Sequence, residues 1–471
     1  MYHATRSCCH VIMRLITLFR LKYVCLGIGI FMLLDFFGAF THMFEISYGE
    51  KFIYPYEGDV HEFVMALKHK EKPAVDPINE YNYSFIIENK QKCMEPGYST
   101  FRIVYVVKSA MENVHRRAAI RNSWGFEKRF FDVPSRTIFV LGTHPNDEEL
   151  QAKVKVEAAK HNDIIQANFI DSYYNNTIKT MMGFNWILKH CSNSKFYMFV
   201  DDDIYVSVKN VLRFIRNPAN YPDYLKEPKK FGAHKREVKI EDNPYPIDVL
   251  TKKDSVRLSP STYNYTSIVP VIYNTRPMRK IIIREDQQQK NSSIENNRKD
   301  FKNKLNNVGT DSTRNSIVQS DLYNKTVSVF PRRKRQIFDF ELPEDVRLFA
   351  GFVFVSSPHR HKSSKWYVSL DEYPYHLWPP YVTAGAYILS KEAFVDMYHT
   401  SLYTKHFRFD DIFLGLVAKK ANIEPFHCEE FHFYKKEYTK FNYKYVITSH
   451  GYGDPNELLS VWNEQKALGN A

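Results

Sequence analysis

Three consecutive aspartates, Asp201, Asp202 and Asp203, directly follow an apolar run over residues 196–200. The run is rich in aromatic and β-branched residues, which predicts a buried strand. Three ionised carboxylates at the mouth of such a strand raise one another's pKa and resist desolvation unless a cation accompanies them. Oxygen ligands suit Mg²⁺ or Mn²⁺, which keep open positions for the oxygens of a substrate phosphate. The pattern therefore predicts a metal site, and the alternative is that the aspartates only cap a helix over residues 206–216.

The chain beyond residue 100 alternates apolar runs of strand length with longer segments of helical pattern. Predicted strands cover residues 101–107, 137–141, 164–169, 348–355 and 381–390. Predicted helices cover residues 113–124, 147–161 and 174–190, and further helices begin at residues 391 and 409. This order predicts an α/β fold with a mainly parallel central sheet and helices on both faces. Ligands of such sheets bind beyond the carboxyl ends of the strands, where the aspartate triplet lies.

The first 98 residues are interpreted as a tail, a membrane anchor and a stem. Residues 23–40 form an apolar run about long enough to span a bilayer, and basic residues precede it. Because basic flanks stay on the cytosolic side, the pattern predicts a cytosolic tail over 1–22, a single-pass type II anchor over 23–40 and a lumenal stem over 41–98. A cleaved signal peptide is the alternative, although the apolar run is longer than the usual core of such a peptide.

The remaining chain, residues 99–471, is interpreted as one catalytic domain that contains a long insertion. Residues 229–336 are rich in Asn, Ser, Lys, Arg and Gln and show neither helical nor strand periodicity, so a disordered insertion is expected there. The net charge of +12 and the pI near 9.1 do not indicate a nucleic-acid partner, because the basic residues are spread out and no nucleic-acid-binding signature occurs. The charge is interpreted as surface charge plus a site for an anionic substrate.

Cysteines and glycosylation sequons give information on the cellular compartment in which the chain folds. Only Cys93, Cys191 and Cys428 would be lumenal, and an odd number leaves at least one of them free or paired with another molecule. Asn-x-Ser/Thr sequons would be available for glycosylation in a lumenal chain. They lie at Asn82, Asn175, Asn264, Asn291 and Asn324. Since Asn-rich sequence yields sequons by chance, they are weak support for secretion.

Further stretches place polar side chains where a nucleotide or phosphate can reach them. Arg117 and Arg121 lie one helical turn apart, so both guanidinium groups can reach one phosphate, although a solvated helix face is the simpler alternative. Asp171 precedes a predicted helix that carries Lys179, and its carboxylate can accept a hydrogen bond from a base or cap that helix.

Asp410 and Asp411 form a second carboxylate pair, separate from the triplet. If metal and diphosphate occupy the triplet, a carboxylate of this remote pair is free to act as a general base. His450 can close the metal shell, although a lone histidine is more often structural.

Taken together, these motifs resemble those of the β1,3-glycosyltransferase family of type II Golgi proteins. They occur in family order and cover nearly all of the lumenal chain outside the insertion. The matching stretches are RRAAIRNSWG, FVLGTHPND, DSYYNNTIKT, FYMFVDDDIYV, SKWYVS, WPPYVTAGAYILS and FDDIFLG. The chain departs mildly from the family pattern at Asp410, where many members have Glu, and at Ser123, where Thr is usual.

The resemblance implies a GT-A fold, a UDP-sugar donor, Mn²⁺, an inverting transfer and a place in the Golgi membrane. It further implies that β1,3-linked N-acetylglucosamine is added to a mannose-containing glycosphingolipid. The alternatives are β1,3-galactosyl transfer to a glycolipid or glycoprotein and, from another class, a non-catalytic sugar-binding protein. Such a binding protein would be expected to have lost a carboxylate, and this chain has lost none.

Each candidate residue has a role in this interpretation. Asp411 is the general base that deprotonates the acceptor 3-hydroxyl. The metal ligands are Asp203, Asp201 and His450. Trp366, Trp378 and Tyr381 are candidate stacking faces for sugar rings. The side chains assigned to the UDP-sugar are Arg117, Arg121, Asp171, Lys179, Asp201 and Asp202.

Overall fold

The computed structural model of the chain describes residues 2–53, 59–94, 100–130, 133–227, 342–343 and 345–471. The predicted insertion over residues 229–336 lies outside the described residues. The chain divides into two compact units. The smaller unit contains Met1–Tyr54 and Val355–Pro379, and the larger unit contains Pro55–Phe354 and Pro380–Ala471.

Two sheets form the framework of the larger unit. Its strands are β1 (Phe85–Ile87), β2 (Phe101–Lys108), β3 (Ser135–Thr143), β4 (Ile164–Ile170), β5 (Ser194–Asp201), β6 (Ile204–Val206), β7 (Phe349–Phe354), β8 (Tyr381–Ser390), β9 (Phe426–His427), β10 (Phe431–His432) and β11 (Thr448–His450). In the described part of the chain, the main sheet has the order β1-β4-β3-β2-β5-β8-β7-β9 and the small sheet has the order β10-β11-β6. Strands β4, β3, β2 and β5 run parallel, whereas β8 is antiparallel to its neighbours β5 and β7. The centre of the main sheet is therefore parallel, and the predicted α/β fold with a mainly parallel sheet is confirmed.

The helices of the smaller unit are α1 (Tyr2–Phe36) and α2 (Tyr48–Lys51). The helices of the larger unit connect and cover its strands. They are α3 (His61–Lys68), α4 (Val114–Arg121), α5 (Glu148–His161), α6 (Asn176–His190), α7 (Val208–Arg216), α8 (Asp223–Lys226), α9 (Lys391–Ser401), α10 (Asp410–Lys420) and α11 (Pro455–Ala467). The bounds of α5 follow from its sequence. Asp147 caps its start by accepting a hydrogen bond from the Leu150 N–H at 2.9 Å, and Asn162 ends it in the left-handed conformation.

The central strand β2 is buried on both faces because its side chains alternate between two layers. Ile103, Tyr105 and Val107 belong to the main core cluster, which also contains Trp124 of the segment after α4. On the opposite face, α6 approaches closely at Gly183, where an added Cβ would lie 3.4 Å from Val106. Helices thus cover both faces, and only the strand ends stay open for a ligand.

The helix predicted from residue 206 begins later in the structure. Ile204–Val206 form β6, which pairs with β11, and α7 begins at Val208. Ser207 is the cap of α7, and its hydroxyl accepts a hydrogen bond from the Asn210 N–H at 3.1 Å. The aspartate triplet therefore does not cap this helix, and the capping alternative is excluded.

Part of the predicted stem is ordered around Arg360 in the smaller unit. The buried Arg360 guanidinium bonds the Glu45 carboxylate at 2.7 Å. Its other N–H groups donate to the backbone carbonyls of Val368, Ser369, Tyr373 and Tyr375. This arrangement uses all of the donors of the guanidinium and fixes the chain around residue 45. The segment around residue 45 is therefore packed against the rest of the smaller unit, because a buried cation requires these partners.

The predicted membrane anchor is not supported. Helix α1 ends at Phe36, and residues 37–40 of the apolar run form a turn. Asp35 within the run pairs with Lys362 at 2.6 Å. Across the part of the chain that the structure describes, no helix has both the length and the apolar character that crossing a membrane requires.

A disulfide joins Cys93, which precedes β2, to Cys191, which ends α6. Cys428 is free and buried. The sequence prediction that one of the three cysteines after residue 90 is left over is confirmed. Because such bonds persist in oxidising compartments, the pairing is consistent with a chain that folds in the secretory pathway.

Candidate active site

The carboxyl ends of the parallel strands bring charged side chains from distant parts of the sequence to one edge. Lys108 ends β2, Asp201 ends β5, and Asp171 directly follows β4. Strands β2 and β5 pair in a register that places Lys108 directly beside Asp201. The site is thus set by the parallel register of the sheet, as the sequence predicts for ligands of such folds.

Lys108 joins the two carboxylate motifs. Its Nζ lies 3.0 Å from Asp201 Oδ1 and 2.8 Å from Asp410 Oδ2, and it donates to the Ala384 carbonyl at 3.1 Å. Burial alone would lower the pKa of Lys108, but the two carboxylates raise it above its ordinary value. The second carboxylate pair is therefore not remote from the triplet, because one ammonium group contacts both.

The electrostatics at Asp201 are suited to a cation beside it. Burial, together with the negative charges of Asp203 and Asp410, raises the pKa of Asp201 to about 6 against the lowering effect of Lys108. The ionised form of such a carboxylate is stabilised when a positive charge is placed beside it. A third of the Asp201 side chain is exposed, so a ligand can reach it.

Asp203 and His450 face each other across a short gap. His450 Nε2 lies 3.4 Å from Asp203 Oδ2, and Asp203 Oδ1 is buried without a hydrogen-bond partner. An added Cβ on Gly385 would lie 3.9 Å from Asp201 Oδ2 and 4.0 Å from the His450 ring, so a glycine keeps this space open. An orphaned carboxylate oxygen beside an imidazole and a second carboxylate fits a divalent cation that also takes substrate oxygens.

The described residues contain no group of three or more His, Cys, Asp or Glu side chains placed together as a ready metal site. A Mg²⁺ or Mn²⁺ ion that binds a diphosphate commonly takes only one or two protein carboxylates, with substrate oxygens completing its shell. Asp203, His450 and the neighbouring Asp201 are therefore a chemically suitable, incomplete set of ligands.

Asp202 points away from this gap. Its carboxylate accepts hydrogen bonds from Ser109 Oγ at 2.6 Å, Asn113 Nδ2 at 2.9 Å and Arg116 Nη1 at 3.0 Å. Arg116 also donates to the Gly453 carbonyl at 3.1 Å. Asp202 thus ties helix α4 and the loop after His450 to the triplet, and these protein partners account for its burial.

Arg117 and Arg121 do lie one turn apart, but the anion they share is a protein carboxylate. Arg117 Nη2 lies 2.7 Å from Glu157, and Arg121 Nη1 lies 2.7 Å from the same side chain. Arg121 also bonds Asp163 at 2.7 Å. Arg117 is fully buried, and its remaining N–H groups bond Ser109 Oγ and the carbonyls of Ala110 and Met111. A structural role joining α4 to α5 accounts for both arginines, and no donor of Arg117 is left for a phosphate.

Asp171 and Lys179 form a buried pair. Lys179 Nζ lies 2.7 Å from Asp171 Oδ1 and donates to the Ser109 carbonyl at 2.8 Å. The other Asp171 oxygen accepts the Gly142 N–H at 3.2 Å. Both residues lie at the carboxyl edge of the sheet, but the structure gives each a partner within the chain.

Asp410 and Asp411 occupy the first turn of α10 and have different surroundings. Asp410 Oδ2 accepts from Lys108 and, at 3.0 Å, from Thr180 Oγ1. Asp411 is half-buried, and its Oδ1 accepts the Ile412 N–H at 2.8 Å. Burial, together with the charge of Asp410, raises the pKa of Asp411 to about 7. The pair therefore contains one carboxylate fixed by a cation and one whose proton affinity suits acid–base chemistry near neutral pH.

Sequence reasoning missed Lys108 and Arg116. Lys108 carried a usable signal, since it closes the apolar run of β2 as the triplet closes that of β5. Arg116 carried no such signal, because the sequence of a helix with three arginines does not show which of them faces the site. Of the proposed sugar-stacking residues, Trp378 is buried against Tyr373 with ring centroids 3.9 Å apart, so it belongs to the core of the smaller unit. Tyr381 stacks on Phe354 in the larger unit.

Comparison with known proteins adds to this geometry. The galactosyltransferase family model matches residues 115–244 and 323–429. Beta-1,3-galactosyltransferase brn of Drosophila melanogaster is 32% identical over 451 residues, which cover 95% of this chain and 96% of the relative. Human beta-1,3-galactosyltransferase 1 is 25% identical over 83% of this chain and 81% of its own. Human lactosylceramide 1,3-N-acetyl-beta-D-glucosaminyltransferase is 35% identical over 36% of this chain and 45% of its own.

Replacing Lys108 tests its contacts with both carboxylate motifs. We expect Lys108→Met to lower the free energy of unfolding by about 3 to 5 kcal/mol at pH 7, because it leaves buried carboxylates unpaired. Urea unfolding followed by circular dichroism measures the change. Lys153→Met is the matched control, since that ammonium pairs with Glu149 on an exposed helix face and should leave the midpoint unchanged. Equal urea midpoints for the two variants would contradict the conclusion that Lys108 stabilises the fold by pairing with both carboxylate motifs.

Proposed function

Since the chain belongs to the galactosyltransferase family, we propose that it transfers N-acetylglucosamine from its UDP conjugate to a mannose-containing glycosphingolipid, in β1,3 linkage and with inversion. Membership makes the chain a UDP-sugar-dependent glycosyltransferase, because the relatives that match most of its length are β1,3-glycosyltransferases. The observation that carries the proposal is the meeting of two carboxylate motifs at the carboxyl ends of the strands, where one lysine contacts both.

The acceptor side of the reaction is assigned to Asp411. In the proposed step, Asp411 accepts the proton of the acceptor 3-hydroxyl while that oxygen attacks the anomeric carbon in line with the departing UDP. One displacement inverts the configuration, so an α-linked donor gives a β-linked product without an enzyme nucleophile. Asp410 supports the step indirectly, because its fixed negative charge helps to raise the pKa of Asp411.

The donor side is assigned to the edge formed by Asp203, Asp201 and His450, which would hold Mn²⁺. When bound there, Mn²⁺ would neutralise the negative charge that builds on the departing UDP. Asp203 is suited to hold the ion because one of its oxygens is buried and unpartnered, and the His450 imidazole lies beside its other oxygen. Lys108 keeps a positive charge beside Asp201, which favours the ionised form that a cation requires.

Asp171 and Lys179 are proposed to line the nucleotide end of the same edge. Their mutual pairing holds both side chains at the carboxyl end of β4, within reach of the Ser109 carbonyl that follows β2. A nucleotide can bind there by hydrogen bonds to this fixed pair. Asp202, Arg117 and Arg121 contribute by holding α4 in place.

Galactose is the second candidate for the transferred sugar. Two of the relatives described above are named as β1,3-galactosyltransferases, whereas the third is named for β1,3-N-acetylglucosaminyl transfer to lactosylceramide. The last name favours a glycolipid acceptor. A sugar-binding protein without activity is disfavoured, because both carboxylate motifs are intact and positioned.

We propose the Golgi lumen as the compartment. The Cys93–Cys191 disulfide supports it, since such bonds persist in oxidising compartments. The basic residues before the apolar run at residue 23 favour an orientation with the catalytic unit in the lumen. Extraction of cell membranes with alkaline carbonate measures how firmly the full chain is attached, whatever form the attachment takes.

A donor screen tests the function. Purified full-length protein in detergent is given each UDP-sugar with Mn²⁺ and a mannose-terminated glycosphingolipid, and free UDP is measured. We expect consumption of UDP-N-acetylglucosamine, loss of activity on chelation and recovery with Mn²⁺. Selective use of UDP-galactose would replace the proposed donor, and full activity in a metal-free preparation would contradict the Mn²⁺ assignment.

Two amide substitutions separate the donor and acceptor roles. We expect Asp411→Asn to lower turnover by roughly 10² to 10⁴ fold, because a positioned general base contributes about that much, while UDP and Mn²⁺ still bind. We expect Asp203→Asn to weaken Mn²⁺-dependent UDP binding as well, since a charged ligand is lost. Calorimetry of UDP binding with each variant makes the comparison. The reverse pattern, with UDP binding lost only in Asp411→Asn, would place the metal at the second pair.

The raised pKa of Asp411 predicts the pH dependence. Because a general base must be unprotonated, kcat/KM should rise with pH through about 7 in the wild-type enzyme. Asp410→Asn removes a negative charge that raises this pKa, so the acidic limb should move to lower pH. Asp396→Asn is the control, because that carboxylate pairs with Lys68 elsewhere in the larger unit and should leave the profile in place. An unshifted limb in Asp410→Asn would rule out Asp411 as the titrating base.

A further inference from the structure

Four aromatic side chains form a partly exposed surface beside the candidate active site. They are Phe354 at the end of β7, Tyr381 at the start of β8, and Phe433 and Tyr434 directly after β10. We propose that this aromatic surface binds the sugar rings of the glycolipid acceptor. The inference rests on the proposed function, because it concerns the acceptor of that reaction.

The four rings contact one another in a continuous row. Phe354 stacks on Tyr381 with ring centroids 5.7 Å apart. Phe433 makes an edge-to-face contact with Phe354 at 4.8 Å, and Tyr434 makes one with Phe433 at 5.1 Å. Phe354 and Tyr381 are half-buried, whereas Phe433 is 37% exposed and Tyr434 is 51% exposed. The aromatic surface therefore has an anchored inner end and an open outer end.

The inner end of the aromatic surface is close to the proposed general base. An added Cβ on Gly415 would lie 2.6 Å from the Tyr381 Cβ, so Tyr381 packs directly on helix α10. Asp411 precedes Gly415 by four residues in this helix. Because residues four apart lie on the same face of a helix, Tyr381 packs against the face of α10 that carries Asp411.

The strand register places this inner end beyond the edge where ligands bind. Strand β8 runs antiparallel to β5, with Ala386 paired to Val200. Since β5 ends at Asp201, residues 381–384 extend past the carboxyl end of that strand. An acceptor on the aromatic surface would therefore lie on the side of the sheet where the carboxylate motifs meet.

The outer end of the aromatic surface is level with the proposed metal site. Strands β10 and β11 pair in parallel, with His432 beside Ser449. The next residues along the chain are Phe433 and His450, so Phe433 follows the strand pair at the level of the proposed metal ligand. The aromatic surface thus adjoins both the general base and the cation that the transfer step requires.

The chemistry of the surface fits a sugar ring. A sugar ring has a face of C–H groups that can pack on an aromatic ring, while its hydroxyl groups remain at the edge of the contact. Exposed apolar patches beside a site often mark binding grooves. Because Asp411 must reach a sugar hydroxyl, the surface that adjoins it meets the sugar rings of a glycolipid before it meets the lipid chains.

Acceptor kinetics test the proposal. Full-length protein in detergent is assayed with a mannose-terminated glycosphingolipid and with the headgroup oligosaccharide that lacks ceramide. We expect Phe433→Ala to raise the KM of both acceptors by roughly 3 to 10 fold, because a stacked aromatic ring contributes about that much. The kcat and the affinity for UDP with Mn²⁺ should stay close to those of the wild type. Phe433→Tyr, which keeps the ring, should restore the acceptor KM.

Phe126→Ala is the matched control. Phe126 is 54% exposed and follows Gly125, whose carbonyl accepts a hydrogen bond from Thr137 Oγ1 near the start of β3, at the opposite edge of the sheet. This variant should leave the acceptor KM unchanged. If calorimetry with UDP shows that Phe433→Ala is not folded, Tyr434→Ala replaces it and should raise the acceptor KM in the same way.

Saturation-transfer NMR of the headgroup oligosaccharide separates this inference from the proposed reaction, because it detects binding without turnover. If the wild type binds the oligosaccharide, makes no product and loses binding in Phe433→Ala, the inference stands and the reaction fails. If product forms but the acceptor KM is unchanged in Phe433→Ala and Tyr434→Ala, only the inference is overturned. A KM that rises for the ceramide-bearing acceptor alone would assign the surface to lipid and also overturn it. A wild type that neither binds nor transfers overturns both.

Discussion

The contact of one ammonium group, that of Lys108, with two carboxylates is the interaction on which the site depends. Asp201 and Asp410 come from segments more than 200 residues apart, and each would be costly to bury beside the other without a cation. The parallel register of β2 and β5 fixes the distance from Lys108 to Asp201, and the start of α10 fixes the distance to Asp410. The packing of the larger unit holds the backbone at Lys108, Asp201 and Asp410 in place.

The Lys108 contact also gives the two adjacent aspartates of α10 different surroundings. Asp410 is bonded to Lys108 and Thr180, so its carboxylate is held in place by these two partners. Asp411 has no such cation at hydrogen-bond distance among the described contacts, and burial beside Asp410 raises its pKa. Two neighbours of the same residue type thus acquire different chemistry from their surroundings, since environment sets proton affinity more than residue identity does.

The sequence predicted the order of strands and helices, and it predicted the carboxyl edge as the site, because apolar periodicity and the triplet at Asp201 are local signals. The sequence did not predict a side chain's role where its partner comes from a distant part of the chain. The one-turn spacing of Arg117 and Arg121 was correct, but only the fold shows that Glu157 lies opposite them. Likewise, the sequence could not show that Asp202 bonds Arg116 while Asp201 contacts Lys108, because the alternation of side chains along a strand predicts a direction but not a partner.

The position of His450 shows how the small sheet completes the site. Strand β11, which ends at His450, pairs with β6, the strand that directly follows the triplet, so the histidine is held opposite Asp203. The Tyr452 N–H then donates to the Asp203 carbonyl at 2.7 Å, and Arg116 joins Asp202 to the Gly453 carbonyl. These bonds connect the loop after β11 to the triplet, one directly and one through Arg116. The triplet and the loop that carries the histidine are therefore tied together, and Asp202 takes part through its bonds to Ser109, Asn113 and Arg116.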